Sequence, residues 1–255
     1  MKTILLFIFL LSANTHAFSS KSEKKVVEKV PVDHGSFIKN SEFKKSFNKV
    51  TKDRKKFSLT ALTEAYKFLD ENSKKLNSEE LCFKKDNIRN RKTIRNQSCL
   101  VVADYSKSKK TPRLLVINPK TGESELFYTA HGKGSHNKDE IETGHLAKRF
   151  SNISGSNMTS LGFYLTDNIY NSSKSTFGPG PSNGLKMDGI NCSNNNARMR
   201  YIVMHTADYV QPLNGDITKI GNSEGCVTLP EHRKDVIKKC KGGALVYAYY
   251  SKESL

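Results

Sequence analysis

One histidine and one cysteine in the C-terminal half of the chain have the types and the setting for nucleophilic chemistry. His205 follows an apolar stretch that begins at Tyr201, which predicts a strand with the imidazole at its end. Cys226 comes 21 residues later and directly follows Gly225. A thiol attacks only as a thiolate, and a neighbouring imidazole is the usual group that accepts its proton. The pair therefore predicts a cysteine nucleophile with a histidine base.

The residue before the cysteine supports this interpretation. Gly225 has no side chain, so the backbone can turn sharply there and present N–H groups to an oxyanion. The alternative is a cysteine that fills the core and a histidine that merely ends a strand. These two residues alone do not separate the alternatives.

Other reactive side chains fit established chemistries less well. Three histidines lie close together in the sequence, but their spacing matches no zinc pattern: His131, His136 and His145. No carboxylate pair suggests glycoside hydrolysis. A papain-type protease would place its cysteine ahead of its histidine, which is the reverse of the order found here. We therefore predict no metal and no cofactor.

The N-terminal residues predict export. Lys2 precedes a short apolar run and small residues up to Ala17, which is typical of a signal peptide cut after residue 17. No apolar run approaches the ~20 residues of a transmembrane helix. The net charge is +17 and is concentrated in the front section. Export and the lack of clustered aromatic and basic residues argue against nucleic acid as the partner. The charge favours an anionic extracytoplasmic surface, such as cell-wall polymer or lipid head groups, with mere solubilisation as the alternative.

The pattern along the chain divides it into four segments. A signal peptide (1–17) and a flexible basic leader (18–35) precede a helical section (36–98), in which apolar stripes recur at helical spacing behind a possible Ser58 cap. The remainder (99–255) is predicted to be mainly strands, with a short helix near Pro230. The strands are expected at 100–103, 113–117, 126–130, 161–166, 201–204 and 244–250, and the rest of 131–200 is expected to be loop.

Five cysteines in an exported chain predict two disulfides and one free thiol. One arrangement pairs Cys82 with Cys99 and Cys192 with Cys240, which leaves Cys226 reduced. The sequence leaves the connectivity open.

Residues 99–250 resemble the L,D-transpeptidase (YkuD-like) catalytic domain, in particular its murein L,D-transpeptidase subfamily. The resemblance is carried by a set of short motifs in order: His131-Gly132-Lys133, Phe150-Ser151-Asn152, Ser160–Tyr164, Leu185–Gly189, Asn196-Ala197-Arg198, His205–Val210 and Ser223-Glu224-Gly225-Cys226. It implies a mainly β fold, an L,D-transpeptidase-like β-sandwich with the small helical section in front.

The resemblance also implies roles for individual residues. Cys226 would be the nucleophile and His205 its base, with Ser223 and Gly225 shaping the cysteine loop. Residues expected to contact the substrate are His131, Asn152, Tyr209, Glu224 and Thr228. Glu224 stands where most members have histidine, Thr228 where they have arginine, and Thr206 replaces the glycine common after the histidine.

The implied activity is the remodelling of peptidoglycan stem peptides outside the cytoplasm, in the periplasm or at the cell wall. The thioester at Cys226 would pass to an amine and form a 3–3 cross-link. Alternatives are an L,D-carboxypeptidase or endopeptidase that uses water, and a wall-binding protein without activity. The resemblance further implies acylation by carbapenems.

Overall fold

The computed structural model describes residues 35–76, 81–82, 93–136, 144–170, 184–210 and 220–251. The predicted signal peptide and almost all of the basic leader lie outside these residues. Within them, no helix is long and apolar enough to span a bilayer.

Two helices form the front of the described chain. Helix α1 (Ser41–Asp53) is capped by Asn40, whose side chain accepts two backbone N–H bonds, and α2 (Leu59–Asn72) is capped by Ser58 as predicted. The predicted apolar stripes are confirmed as buried faces, except that Leu59 is 37% exposed. The two buried faces pack against one side of the sheet, so the helices share a core with it.

Eight strands follow in one mixed sheet. They are β1 (Leu100–Asp104), β2 (Leu114–Ile117), β3 (Ser124–Phe127), β4 (Gly162–Tyr170), β5 (Gly184–Gly189), β6 (Val203–Ala207), β7 (Val227–Pro230) and β8 (Leu245–Tyr249), with α3 (Lys234–Lys239) between the last two. Their order in the sheet is β3-β2-β1-β8-β4-β5-β6-β7. The pairs β1–β8 and β6–β7 are parallel and all other neighbours are antiparallel. The predicted mainly β fold with a helical front section is confirmed.

The two edges of this sheet approach each other. Residues just after β3 meet β7, where the Ala130 N–H donates to the Thr228 hydroxyl at 2.9 Å. Gly132 and Ser223 add an isolated parallel bridge. The sheet therefore curves toward a closed barrel, which leaves little unpaired edge.

The strand predictions differ from the structure at three places that matter for the site. No strand was predicted at β7, which carries the residues after Cys226. β5 was expected to be loop, but it lies inside the sheet and is buried on both faces, so its sequence shows no alternation. β6 continues through Thr206 and Ala207, so His205 lies within the strand and not at its end.

The predicted disulfide arrangement is wrong, although its unpaired residue is right. Cys99 pairs with Cys240 and Cys82 with Cys192, while Cys226 is free. Cys99 precedes β1 and Cys240 precedes β8, and these strands are parallel neighbours that start at the same level. The pairing follows from this long-range contact and not from closeness in sequence.

Unfolding the unreduced chain in the presence of iodoacetamide should therefore add one label, at Cys226, because the other four thiols are oxidised. Peptide mapping by mass spectrometry would locate it. Reduction before labelling should give five labels. A label at Cys82, Cys99, Cys192 or Cys240 without reduction would contradict the arrangement.

Candidate active site

The register of two parallel strands brings His205 and Cys226 to one face of the sheet. In the β6–β7 pair His205 lies opposite Thr228, and Met204 lies opposite Val227. Cys226 precedes Val227 and so comes level with Val203. Side chains two residues apart on a strand point to the same face. The thiol therefore stands diagonally across from the imidazole.

A backbone carbonyl orients the His205 ring. Its Nδ1 lies 3.0 Å from the carbonyl oxygen of Thr206, and a carbonyl can only accept, so Nδ1 carries the proton. The lone pair is then on Nε2, which is the nitrogen able to take a proton. His205 is 3% exposed, and burial lowers its pKa to about 4, so the ring is neutral at pH 7.

The Cys226 thiol is also neutral at rest. Burial raises its pKa to about 11, against a weaker opposing effect of the Val203 backbone hydrogen bond. The thiol itself donates to the Tyr201 carbonyl oxygen at 3.9 Å. The resting site is thus a thiol with a neutral imidazole and not a thiolate–imidazolium pair.

Ser223 and Gly225 build the turn that presents the thiol. The Ser223 hydroxyl donates to the Cys226 carbonyl at 3.0 Å and accepts from the Gly225 N–H at 3.1 Å. Gly225 has a φ of +112°, in the region that favours glycine. A Cβ atom there would lie 2.5 Å from the Met158 carbonyl oxygen. The turn therefore requires glycine for both its conformation and its packing.

His131 supports the same turn from behind. Its carbonyl accepts the Ser223 N–H at 2.9 Å, and its Nδ1 is 2.9 Å from a guanidinium nitrogen of Arg113. Because a guanidinium only donates, the His131 Nε2 carries the proton, and this buried N–H has no hydrogen-bond partner. Burial and the Arg113 charge lower the pKa of His131 to about 2.

Two of the residues expected to contact substrate are completely buried. His131 and Thr228 are both 0% exposed, and the Thr228 hydroxyl bonds to the Ala130 N–H and the Thr129 hydroxyl. Thr228 thus joins the two edges of the sheet. A substrate contact by either side chain stays a prediction.

The other three residues that are expected to contact substrate lie in different surroundings. The Tyr209 ring is 6.5 Å from the His205 ring, edge to face. Glu224 lies exposed beside the cysteine turn and pairs with the ammonium of Lys133 at 2.7 Å. Asn152 binds the loop after β5, where its side chain donates to Asn195 at 2.8 Å. Their contacts with substrate also stay predictions.

A groove that the sequence did not indicate is lined in part by Tyr201, whose carbonyl oxygen accepts the thiol hydrogen bond. It has a volume of about 380 Å³ and is lined by Lys186, Met187, Arg198, Met199, Tyr201, Ile202 and Val203. Tyr201 is 80% exposed and has a φ of +56°, which is uncommon for a residue other than glycine. Its carbonyl contacts the thiol. No periodicity marks such a residue in the sequence.

A sequence model described as the L,D-transpeptidase catalytic domain matches residues 69–249. The chain belongs to this family. No curated protein matches the chain. The cysteine turn and His205 both lie inside the matched region of this L,D-transpeptidase domain.

Several solved structures are similar to this domain. An L,D-transpeptidase from Mycobacterium tuberculosis is 14% identical over 60% of this chain and 57% of that one, with a TM-score of 0.35. L,D-transpeptidase 3 from the same organism, with a faropenem-derived adduct, is 13% identical over 59% and 60%, with a TM-score of 0.30. The helical cell shape determining protein Pgp2 from Campylobacter jejuni is 16% identical over 61% and 48%, with a TM-score of 0.34. The chain spans less than two thirds of each.

In the described part of the L,D-transpeptidase domain, no group of three or more His, Cys, Asp or Glu side chains could hold a metal ion. His131 and His136 lie with their ring centres 5.7 Å apart, but the surroundings of His131 are cationic: Arg113 and Lys109 both lower its pKa. A cationic environment repels a metal ion.

Two of the buried histidines of this L,D-transpeptidase domain predict acid instability. His131 and His205 are neutral when folded and have lowered pKa values, so below about pH 6.5 the unfolded chain binds more protons than the folded one. Stability should then fall as the pH drops from 6.5 toward 4, by up to about 1.4 kcal/mol per pH unit for each ring. Urea unfolding at pH 7 and pH 4.5 would measure it.

His131→Gln is expected to reduce this pH dependence, since one linked proton is removed. The matched control is His232→Gln, because His232 is exposed. An unchanged difference between pH 7 and pH 4.5 in His131→Gln would contradict the assignment.

Proposed function

We propose that the protein is an exported enzyme that remodels peptidoglycan stem peptides through a thioester at Cys226. The observation that carries the proposal is the free cysteine on the same sheet face as His205, whose Nε2 carries the lone pair because Nδ1–H is bonded to Thr206. Family membership supports the substrate class.

In the proposed reaction the thiol and the imidazole act together and not in two separate steps. With pKa values of about 11 and about 4, prior proton transfer is unfavourable, so His205 takes the thiol proton as sulfur attacks the carbonyl of the third stem residue. The bond to the terminal D-alanine then breaks, and the imidazolium returns its proton to the leaving amine. A thioester to Cys226 remains.

The oxyanion formed during attack needs a backbone donor. The Gly225 N–H is already bonded to the Ser223 hydroxyl, so we assign this role to the N–H of Cys226 itself. The glycine turn fixes the direction of this N–H before substrate arrives. Such preorganisation costs no rearrangement during the reaction.

The thioester is resolved by an amine of a second stem, which yields a 3–3 cross-link. Water in place of the amine would yield carboxypeptidase or endopeptidase products from the same residues. Exposed Glu224 beside the turn supports an amine as acceptor, since a carboxylate attracts an ammonium group; in the structure the Lys133 ammonium occupies this position.

Location outside the cytoplasm is supported by two disulfides, because such bonds persist in oxidising compartments. The basic front section, whose described part contains α1 and α2, is proposed to attract the anionic wall polymer.

Incubation of the enzyme with purified muropeptides, followed by mass spectrometry, tests the function. Cross-linked dimers that have lost one D-alanine are the expected products. Shortened monomers alone would favour the hydrolase, and no product would favour a wall-binding protein. Cys226→Ala is the matched control, because it removes the thiol and keeps His205 and the rest of that face of the sheet.

A further inference from the structure

Arg200, which the sequence motifs did not single out, binds a loop beneath the cysteine turn. Its guanidinium donates to the carbonyl oxygens of Ser151 and Met158, each at 2.7 Å. It also donates to the hydroxyls of Ser156, at 3.3 Å, and Ser160. Arg200 is half-buried. These four bonds fix the position of a cation that solvent screens only in part.

Two short backbone routes connect this arginine to the nucleophile. The Met158 carbonyl, to which Arg200 donates, packs directly against Gly225, the residue before Cys226. On the other side of the arginine, Tyr201 is its chain neighbour and accepts the thiol hydrogen bond. The guanidinium is thus tied to both sides of the thiol.

Five ionisable side chains lie around the thiol: four of them interact with it electrostatically, and His205 shares its face of the sheet. They are His205 from β6, Tyr105 from the end of β1, Tyr209 after β6, Glu224 from the cysteine turn, and Arg200. Of these five, Arg200 alone is positively charged at neutral pH and Glu224 alone is negatively charged. Glu224 is 72% exposed and paired with Lys133, so its effect is screened.

We propose that Arg200 is a positioning residue for the nucleophile: it fixes the loop of residues 151–160 under Gly225, and its charge favours the thiolate of Cys226. The loop keeps the turn closed, and the cation opposes the effects of burial and of Glu224 on the thiol. The link to turnover rests on the proposed function, whereas the effect on the thiol does not.

Alkylation of the full, unreduced chain with iodoacetamide between pH 7 and pH 10 measures the thiolate fraction without any substrate. Arg200→Gln is expected to move the rate profile to higher pH by roughly half to one unit, which is about a 3- to 10-fold lower rate at a fixed pH. Arg200→Lys keeps the charge and should stay within about threefold of the wild type. Glu224→Gln should move the profile in the opposite direction, by less.

The variant Ser160→Ala separates a purely structural role of Arg200 from the effect of its charge. The Ser160 hydroxyl donates to the Ser151 carbonyl at 2.9 Å, so its removal loosens the same loop without a change of charge. The alkylation profile of this variant should stay that of the wild type. An equal shift in Ser160→Ala and Arg200→Gln would overturn the role of the charge.

A wild-type profile in folded Arg200→Gln would overturn the proposal, as would Arg200→Lys reacting as slowly as Arg200→Gln. If circular dichroism shows that Arg200→Gln is unfolded, the test rests on Arg200→Lys alone. A natively folded Arg200→Lys with an alkylation rate within threefold of the wild type supports the proposal, and a tenfold lower rate overturns it.

Muropeptide turnover is measured in parallel. If the wild-type protein shows no turnover while the variants show the expected alkylation shifts, the proposed function is refuted and the inference on Arg200 stands.

Discussion

Serine in place of Cys226 is expected to abolish acyl-enzyme formation, with a loss on the order of 10⁴-fold or more in acylation. A hydroxyl has a far higher pKa than a thiol, and His205, with a pKa of about 4, is too weak a base to activate it. Intact-mass measurement after incubation with a carbapenem should show an adduct on the wild type and none on Cys226→Ser.

The fold should survive this change, because serine is slightly smaller than cysteine and can keep the bond to the Tyr201 carbonyl. Equal urea unfolding of both proteins is the control that assigns the loss to chemistry. Turnover of muropeptides by Cys226→Ser would refute Cys226 as the nucleophile.

Alanine in place of Gly225 is expected to remove activity and to lower stability. The φ of +112° alone costs roughly 1–3 kcal/mol in a residue with a Cβ. The new methyl group would also lie 2.5 Å from the Met158 carbonyl oxygen, so the turn must move. Displacement of a catalytic group by about 1 Å can cost about 100-fold in rate.

Gly155→Ala is the matched control. Gly155 also has a positive φ, of +76°, but a Cβ there would meet nothing within 4 Å. It should show part of the stability loss in thermal unfolding and full alkylation of Cys226. Wild-type activity in Gly225→Ala would show that the observed turn is not required.

Features that depend on neighbouring residues could be predicted from the sequence. The Ser58 cap was one: its hydroxyl accepts the Ala61 N–H at 3.2 Å. Because this bond joins residues only three apart, local side-chain chemistry is sufficient. The choice of Cys226 as the free thiol also succeeded, since its glycine neighbour marks a special turn.

Features that depend on distant contacts could not be predicted. β5 is buried on both faces and lacks the alternation by which a half-exposed strand is recognised. The disulfide partner of Cys99 is 141 residues away and was fixed by the pairing of β1 with β8. Arg200 acts through a loop more than 40 residues earlier in the chain. The sequence around each of these residues does not indicate which distant residues it contacts.

The place of β8 in the sheet has a consequence for biogenesis. β8 is the last of the eight described strands in sequence, yet it lies between β1 and β4 and joins strands β1–β3 to strands β4–β7. A polypeptide that emerges from a translocation channel N-terminus first cannot complete the sheet until β8 has emerged. Long-range pairing of this kind is slow and leaves edges open to aggregation. On the proposed export route, the nucleophile therefore reaches its working position only after β8 has been translocated, and a chain cut before β8 cannot mature.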